Sequence, residues 1–428
     1  MSDSATRSAA PLNGTHIESL STIPYTSAAA GHQGIATDPT GAMLIKPCTQ
    51  AEIDFYESAK AHPAFQAHMP VYMGQVSLAD EKDQSKAKQL MQQQQSEIIN
   101  TPKSASSTPI PIAGAPQRDT FQSSARSSTS THRRVDSGHI ISDPLIARSA
   151  RKEWTPSGGA KLDSNLSIVL SNATAGFRKP NVIDLKLGAR LWDDDAPAAK
   201  RKKLDEVSAA TTSSSLGFRV AGMKVYVGDE SNSEVTREVN TEVADGYKTY
   251  NKFYGRDGIT KENVKSAFDA FFWSLDLLSN AADKQGRRKQ LLKRKLLVEM
   301  LLREVSSIEY VFLNEESRMY SASVLMVYEG DPEALDSVIT FKTQNDQIVS
   351  AEVIESQEED EEDRTGDEDD EDDDETPKQK IEEVVLIDFA HAHWTPGQGP
   401  DENVLHGVRS IKKTLEDILH DTEEKLKS

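Results

Sequence analysis

The sequence predicts an α+β chain whose folded core is interrupted by long polar segments. Apolar runs of strand type recur at Gly41–Pro47, Val71–Leu78, Ser167–Leu170, Asn181–Leu187, Arg318–Gly330 and Val384–Ile387. Helical apolar stripes lie among them, one at Val264, Ala267, Phe268, Phe271, Phe272 and Leu275, another from Leu291 to Val305. The third observation is compositional. Apolar residues make up 36% and aromatics 6% of 428 residues, low for a chain folded throughout.

Residues 1–26 are rich in Ser, Thr and Ala and read as a flexible tail. The Asp38-Pro39-Thr40-Gly41 turn joins two short strands into a hairpin, the second ending at Lys46. A helix over Ala51–Ala59 follows, with Glu52, Asp54 and Glu57 charged. Strand, lysine, acidic helix is the order in which kinase-like small lobes pair a phosphate-binding lysine with an orienting carboxylate. The plainer reading is an exposed lysine at a strand end, and any of the three carboxylates can be its partner. From 79 to 162 the periodicity collapses into a glutamine run, Gln92–Gln95, and Ser/Thr/Pro-rich sequence, so this stretch reads as a disordered insertion. Its Ser123–Ser130 segment is read as solvated linker in preference to a phosphate acceptor.

Asn181–Leu187 alternates, which puts Asp184 and Lys186 on one face, opposite Ile183, Leu185 and Leu187. A carboxylate beside an ammonium suits a polar cleft that holds a hydroxyl, a metal or a phosphate. A solvated ion pair on a half-exposed sheet fits the same pattern. Downstream, Lys200-Arg201-Lys202-Lys203 lines part of a helix, and adjacent cations repel unless anions are near. A site for a highly phosphorylated ligand, a nuclear-import signal and a solvated face all remain open for it.

Further on, Thr260 reads as an N-cap with Glu262 in the first turn of the Phe-rich helix. A helix over Arg288–Ser306 carries cations from Arg287 to Lys295, read as a solvated face, with nuclear import as the alternative. Arg318–Gly330 reads as one buried strand. Residues 341–380 hold an acidic run expected to stay extended, either a solubilising loop or a lure for basic partners. Val384–Ile387 is a buried strand that delivers Asp388 to a cleft, and Strand-Asp-Phe is how kinase-like folds present a magnesium-binding carboxylate. Asp401–Gly407 is expected as a loop and Ser410–Lys427 as the closing helix.

Composition also excludes. Net charge is −20, and residues 355–376 supply −15 of it, so the remainder is only mildly acidic. That balance argues against direct nucleic-acid binding. Cys48 is the one cysteine, so neither an internal disulfide nor a cysteine-rich zinc site is possible. Three of ten histidines lie between 391 and 406, without the partners of a structural zinc pattern. No apolar run approaches the roughly 18–20 residues of a membrane span, so a soluble chain of the cytoplasm or nucleus is expected.

Pro180-x-x-x-Asp184-x-Lys186-x-Gly188 resembles the signature of the inositol polyphosphate kinase family. Ser213-Ser-Ser-Leu-Gly-Phe-Arg-Val-Ala-Gly-Met-Lys-Val-Tyr226 is similar to the block that follows it there, and the spacing, with a basic helix inside, is most like the family's fungal multikinases. The resemblance covers about 27–78 and 165–428. It implies a two-lobed kinase-like fold of the inositol polyphosphate kinase and SAICAR synthase type. Residues 27–174 would form a small antiparallel-sheet lobe and 175–428 a larger catalytic lobe, with ATP and Mg2+ in the cleft. Lys46 is then a nucleotide-phosphate ligand. Leu170 and the Ser171-Asn172 turn become the adenine-binding hinge, where family members often carry Glu-Asp. Asp184 would bind the ribose, and Lys186 would lie between the γ-phosphate and the inositol. Ser323, in a departure from the family's Ser-Ser-Leu-Leu block at Ala322 and Val324, would lie near the phosphates. Asp388 is the implied metal ligand, and Lys200, Lys203 and His391 the implied substrate ligands. The implied activity is ATP-dependent phosphorylation of inositol trisphosphate to the tetrakis- and pentakisphosphate by a monomer, with phosphoinositide headgroups as further candidates. A strict trisphosphate 3-kinase, a hexakisphosphate kinase, and an interaction protein recruiting basic or transcriptional partners through the acidic run are the alternatives.

Overall fold

A computed structural model of the chain describes residues 22–29, 34–77, 166–228, 236–272, 284–337, 339 and 380–428. Contacts group 1–92 with 156–428 and set 93–155 apart, and every described residue lies in the first group. The insertions expected at 79–162 and 341–380 fall outside the described residues, Lys380 excepted.

Five strands make the first sheet: β1 Ile23–Pro24, β2 Ala36–Thr37, β3 Met43–Pro47, β4 Tyr72–Ser77 and β5 Leu166–Ser171. Their order is β1-β2-β3-β5-β4, and each neighbouring pair is antiparallel. The expected hairpin is β2–β3. Asp38 shapes its turn by accepting from the backbone N–H groups of Thr40 (3.1 Å) and Met43 (2.8 Å). β1 lies in the stretch read as a tail, yet Ile23 pairs with Thr37. Helix α1, Gln50–Ser58, follows β3, and the Thr49 hydroxyl caps it by accepting from Glu52 N at 3.3 Å. A short helix, α2, spans Pro63–Gln66.

The second sheet has seven antiparallel strands. They are β6 Pro180–Leu187, β7 Phe218–Tyr226, β8 Thr236–Glu238, β9 Thr241–Ala244, β10 Tyr247–Tyr250, β12 Ser323–Glu329 and β13 Glu382–Ile387, in the order β13-β12-β6-β7-β10-β9-β8. β6 is central and almost wholly buried. Asp184 therefore does not sit on the half-exposed sheet that its alternation also allowed. The β6–β7 register shifts between Asp184 and Leu185, a bulge beside the chemically important residue.

The apolar stretch Arg318–Gly330 is two strands, not one. β11, Ser317–Met319, pairs with β14, Ala392–Trp394, and the chain breaks before β12 at Ser321, whose φ is 63°. Helices α3, Ala198–Ala209, and α4, Thr212–Leu216, fill the β6–β7 connection. α5 spans Val264–Phe271 and starts four residues after the expected Thr260 cap. Asn263 explains the delay: its amide accepts from Thr260 N (2.7 Å) and donates to Gly258 O (2.9 Å), which holds a turn there.

α6, Lys284–Asn314, runs past the expected Arg288–Ser306 at both ends, and Ile308, Val311 and Phe312 continue its buried face. Its cations are not one solvated face. Lys293 and Arg294 are buried and pair with Asp336 and Asp269. α7, Glu402–Lys427, begins eight residues before the expected closing helix. The expected 401–407 loop is its cap and first turns: Asp401 accepts from Asn403 N (3.1 Å), Val404 N (3.3 Å) and Met319 N (2.8 Å). α6 and α7 pack on one another, and one apolar cluster joins them to both sheets.

Candidate active site

Two sheets contribute to one cleft. Leu44 and Leu170 come from the first, Val182 and Leu325 from the second, and Ile387 closes the apolar wall. Ser171, Asn172 and Ala173 line it at the crossing between the sheets, and Lys46, Asp184 and Asp388 occupy its polar end. An apolar slot that leads to charges fits a flat base with a phosphate tail.

Lys46 is at the centre of the polar end. Its Nζ donates to Glu52 Oε1 at 2.9 Å and to Asp388 Oδ1 at 2.6 Å. Glu52 is thus the partner that the sequence left undecided among three. α1 faces β3, and of its carboxylates only Glu52 is buried. Burial alone would lower the Lys46 pKa, but Asp388 and Glu52 together hold it above the usual lysine value.

Asp388 follows β13 with φ 69°, in the left-handed region that non-glycine residues rarely adopt. The next residue holds it there: Phe389 is fully buried and stacks on Phe55 at 4.9 Å. Lys186 reaches the other oxygen of Asp388 at 3.4 Å and donates to Ser321 O at 2.7 Å. The strand break at Ser321 supplies that carbonyl. Two ammonium groups therefore flank one carboxylate at the end of the cleft.

Asp184 is 4% exposed, and its Oδ1 has no hydrogen-bond partner. Burial raises its pKa first, Asp388 adds to the rise, and Lys186 opposes it. An unsatisfied buried carboxylate oxygen that lines a cleft is an acceptor available to a ligand hydroxyl. Ser323 lies fully buried in the sheet between β6 and β13. It is not among the residues that line the cleft, and its hydroxyl, like Asp184 Oδ1, has no hydrogen-bond partner among the described residues.

Leu170 lines the cleft as expected. Asn172 lines it too, but its amide is committed within the protein. Nδ2 donates to Gly41 O (2.7 Å), and Oδ1 accepts from Thr174 N (3.0 Å), the Thr174 hydroxyl (2.9 Å) and the Tyr25 hydroxyl (3.3 Å). Asn172 therefore shapes the turn that follows β5.

The basic run divides. Lys200 Nζ lies 3.1 Å from His391 Nε2, and His391 Nδ1 lies 2.5 Å from Asp193 Oδ2. Arg201 locks the start of α3 by donating to Ala196 O at 2.7 Å and stacking on Trp192. Lys203 is exposed further along the same helix. Sequence reading missed Asp193, the Ser321 carbonyl and the apolar wall. Asp193 stands in Asp193-Asp194-Asp195, where nothing local singles out one carboxylate.

Comparison with known proteins gives the same assignment. The inositol polyphosphate kinase family model matches residues 167–416. An inositol polyphosphate multikinase of Saccharomyces cerevisiae is 32% identical over 402 residues, covering 90% of this chain and 94% of that one. Human inositol hexakisphosphate kinase 1 is 26% identical over 298 residues, 66% of this chain and 60% of its own. A solved S. cerevisiae inositol phosphate multikinase in complex with ADP and Mn2+ is 24% identical with a TM-score of 0.49, covering 89% of this chain and all of that one. A family model that spans more than half of the chain and a relative matched almost end to end leave one conclusion: this chain belongs to the inositol polyphosphate kinase family.

Proposed function

We propose that this chain is an ATP-dependent inositol polyphosphate multikinase that converts inositol trisphosphate to the tetrakis- and pentakisphosphate. The observation that carries the reading is the Lys46 ammonium held between Glu52 and Asp388 where an apolar slot meets the charges. Relatedness along nearly the whole yeast multikinase favours this branch over the hexakisphosphate kinases, of which the chain spans 50–60%.

Phosphoryl transfer needs positioning and charge neutralisation more than covalent chemistry. The apolar wall would take the base, and Asp184 a ribose hydroxyl. Lys46 would meet the nucleotide phosphates, and Lys186 would stand between the γ-phosphate and the substrate. Lys200 and Lys203 would meet substrate phosphates on the basic helix. No cluster of three or more metal-ligating side chains exists among the described residues. Mg2+ suits such a site, because it is commonly bound through one or two carboxylates together with substrate phosphates. Asp388 is the carboxylate placed to hold it, and the ion would neutralise charge on the transferring group.

Asp388→Ala tests the assignment. Purified protein, ATP, Mg2+ and inositol 1,4,5-trisphosphate are incubated and the products separated by anion exchange. Successive tetrakis- and pentakisphosphate from wild type, with no product from folded Asp388→Ala, is the expected result. A single tetrakisphosphate would make the chain a strict 3-kinase. Full turnover by Asp388→Ala would overturn its metal role.

A further inference from the structure

Part of the cleft wall lies outside both sheets. Tyr25, Ser27, Ala28 and Ala29 line the cleft together with Leu44, Leu170 and Val182. They belong to the segment 22–29, which leaves the first sheet at β1, an edge strand of two exposed residues. At its other end the segment reaches the second sheet, where Ala29 is buried against Val182 and Val327. It therefore spans the cleft from one sheet to the other. Apolar burial does little to hold it, since Ala29 alone of these residues is buried. Polar ties hold the rest. Tyr25 N donates to Ile35 O at 3.2 Å, and Lys224 Nζ on β7 donates to Thr26 O at 2.7 Å. The Tyr25 hydroxyl lies 3.1 Å from Thr174 Oγ1 and 3.3 Å from Asn172 Oδ1. Thr174 gives its one hydroxyl hydrogen to Asn172 Oδ1 at 2.9 Å, so the Tyr25 hydroxyl is the donor and the two oxygens of the turn after β5 accept. Burial holds the Tyr25 pKa above the ordinary tyrosine value, so that hydrogen stays in place at neutral pH.

We propose that residues 22–29 clasp the nucleotide and that Tyr25 is the latch, a positioning residue whose hydroxyl, held by Thr174 and Asn172, keeps the clasp across the cleft so that bound nucleotide leaves only after this contact opens. A neutral hydrogen bond shifts an equilibrium only a few-fold, so the latch opens readily enough for turnover. A segment with so little buried area belongs to the least stable part of a fold, from which ligand-gating elements are drawn. Its ties fall beside β2, on Lys224 and on the turn after β5, away from Lys186 and α3. The effect therefore belongs to the nucleotide and not to the inositol phosphate.

The inference rests on the kinase reading of the cleft, and nucleotide release tests it without the inositol phosphate. Fluorescent N-methylanthraniloyl-ADP is bound with Mg2+ and chased with excess ADP in a stopped-flow instrument. Tyr25→Phe keeps the ring and removes the hydroxyl, and should speed dissociation about fivefold. Thr174→Val removes the accepting oxygen and should act to a similar extent. The double variant should be no faster than the faster single one, because the two changes break the same contact.

In steady state, Tyr25→Phe should raise KM for ATP about fivefold while KM for inositol trisphosphate stays at the wild-type value. A merely structural role would move both constants together with the melting temperature. Release from Tyr25→Phe at the wild-type rate, or effects that multiply in the double variant, would overturn the clasp and leave the kinase reading standing. A chain that releases nucleotide faster in Tyr25→Phe but phosphorylates no inositol phosphate would sink the kinase reading and leave the clasp standing. Wild-type protein that binds no nucleotide would overturn both.

Discussion

At Asp184 a carboxylate is kept where its charge is costly. Its folded pKa lies above the ordinary aspartate value, so the folded state binds the proton more tightly than the unfolded chain does. That stabilisation is complete below the unfolded pKa and is lost as pH rises through the raised folded value. At pH 7 the ionised side chain therefore weakens the fold. Asp184→Asn, which resembles the neutral form, should melt above wild type at pH 7, and the gap should close toward pH 4. The same variant should lose activity, because it replaces a charged acceptor on a cleft-lining residue with a weaker neutral amide. Equal melting temperatures at pH 7 would contradict the burial argument. Lys46 has the same sign in a different pH window. Its raised pKa protects the fold up to alkaline pH, so its ion pairs contribute no pH dependence between about 6 and 9. Lys46→Met should lower turnover about 100-fold or more and cost about 3 kcal/mol, because it strands Glu52 without its cation. Lys46→Met combined with Glu52→Gln should recover the stability and not the turnover. Urea titration and initial rates separate the two effects.

Among the elements, β6 depends on a carboxylate that never touches the cleft. Glu329, fully buried at the end of β12, accepts from the backbone N–H groups of Arg178 (2.7 Å), Lys179 (2.9 Å) and Asp331 (2.8 Å). It fixes where β6 begins, and so the register that brings Asp184 and Lys186 to the cleft. Glu329→Ala leaves those donors unsatisfied and should cost about 3 kcal/mol, with Glu329→Gln milder, as measured by denaturant unfolding. α7 makes a second dependence. A Cβ on Gly407 would stand 2.3 Å from Gly217 O, so the closing helix crosses the α4–β7 corner at backbone contact. Gly407→Ala should destabilise by about 1–3 kcal/mol and raise KM for the inositol phosphate before KM for ATP. An unchanged melting temperature would refute the close crossing. Asn403 ties the same helix to the segment after β6 by accepting from Ala189 N (2.9 Å) and Arg190 N (2.8 Å).

Across the whole molecule, both long insertions sit in connections between antiparallel neighbours. Ser77 pairs with Leu166 across the first, and Tyr328 pairs with Glu382 across the second. Loop-closure cost grows only slowly with length, so a sheet that already juxtaposes the two ends tolerates such inserts. Deletion of 341–379 with a short Gly/Ser bridge should leave kcat within about twofold and the melting temperature nearly unchanged. Lost activity would give the acidic run a part in the catalytic unit. Sequence pattern revealed β3, β4, β5, β6, β12 and β13 and the apolar stripes, because alternation and helical period are local properties of the chain, while the roles of Asp184, Lys186 and Asp388 came with the family resemblance and the short strands β1, β8, β9, β10 and β14 went unread in polar sequence. Local pattern misled at Arg318–Gly330, which has one continuous apolar run: only the left-handed turn at Ser321 divides it and presents a carbonyl to Lys186. The choice of Glu52 from three acids, the commitment of Asn172 to the turn that follows β5, the burial of Lys293 and Arg294 in a run of cations, and the coupling of Asp193 to His391 were decided by packing. Each depends on a partner distant in sequence or on a side chain's exposure, and composition is blind to both.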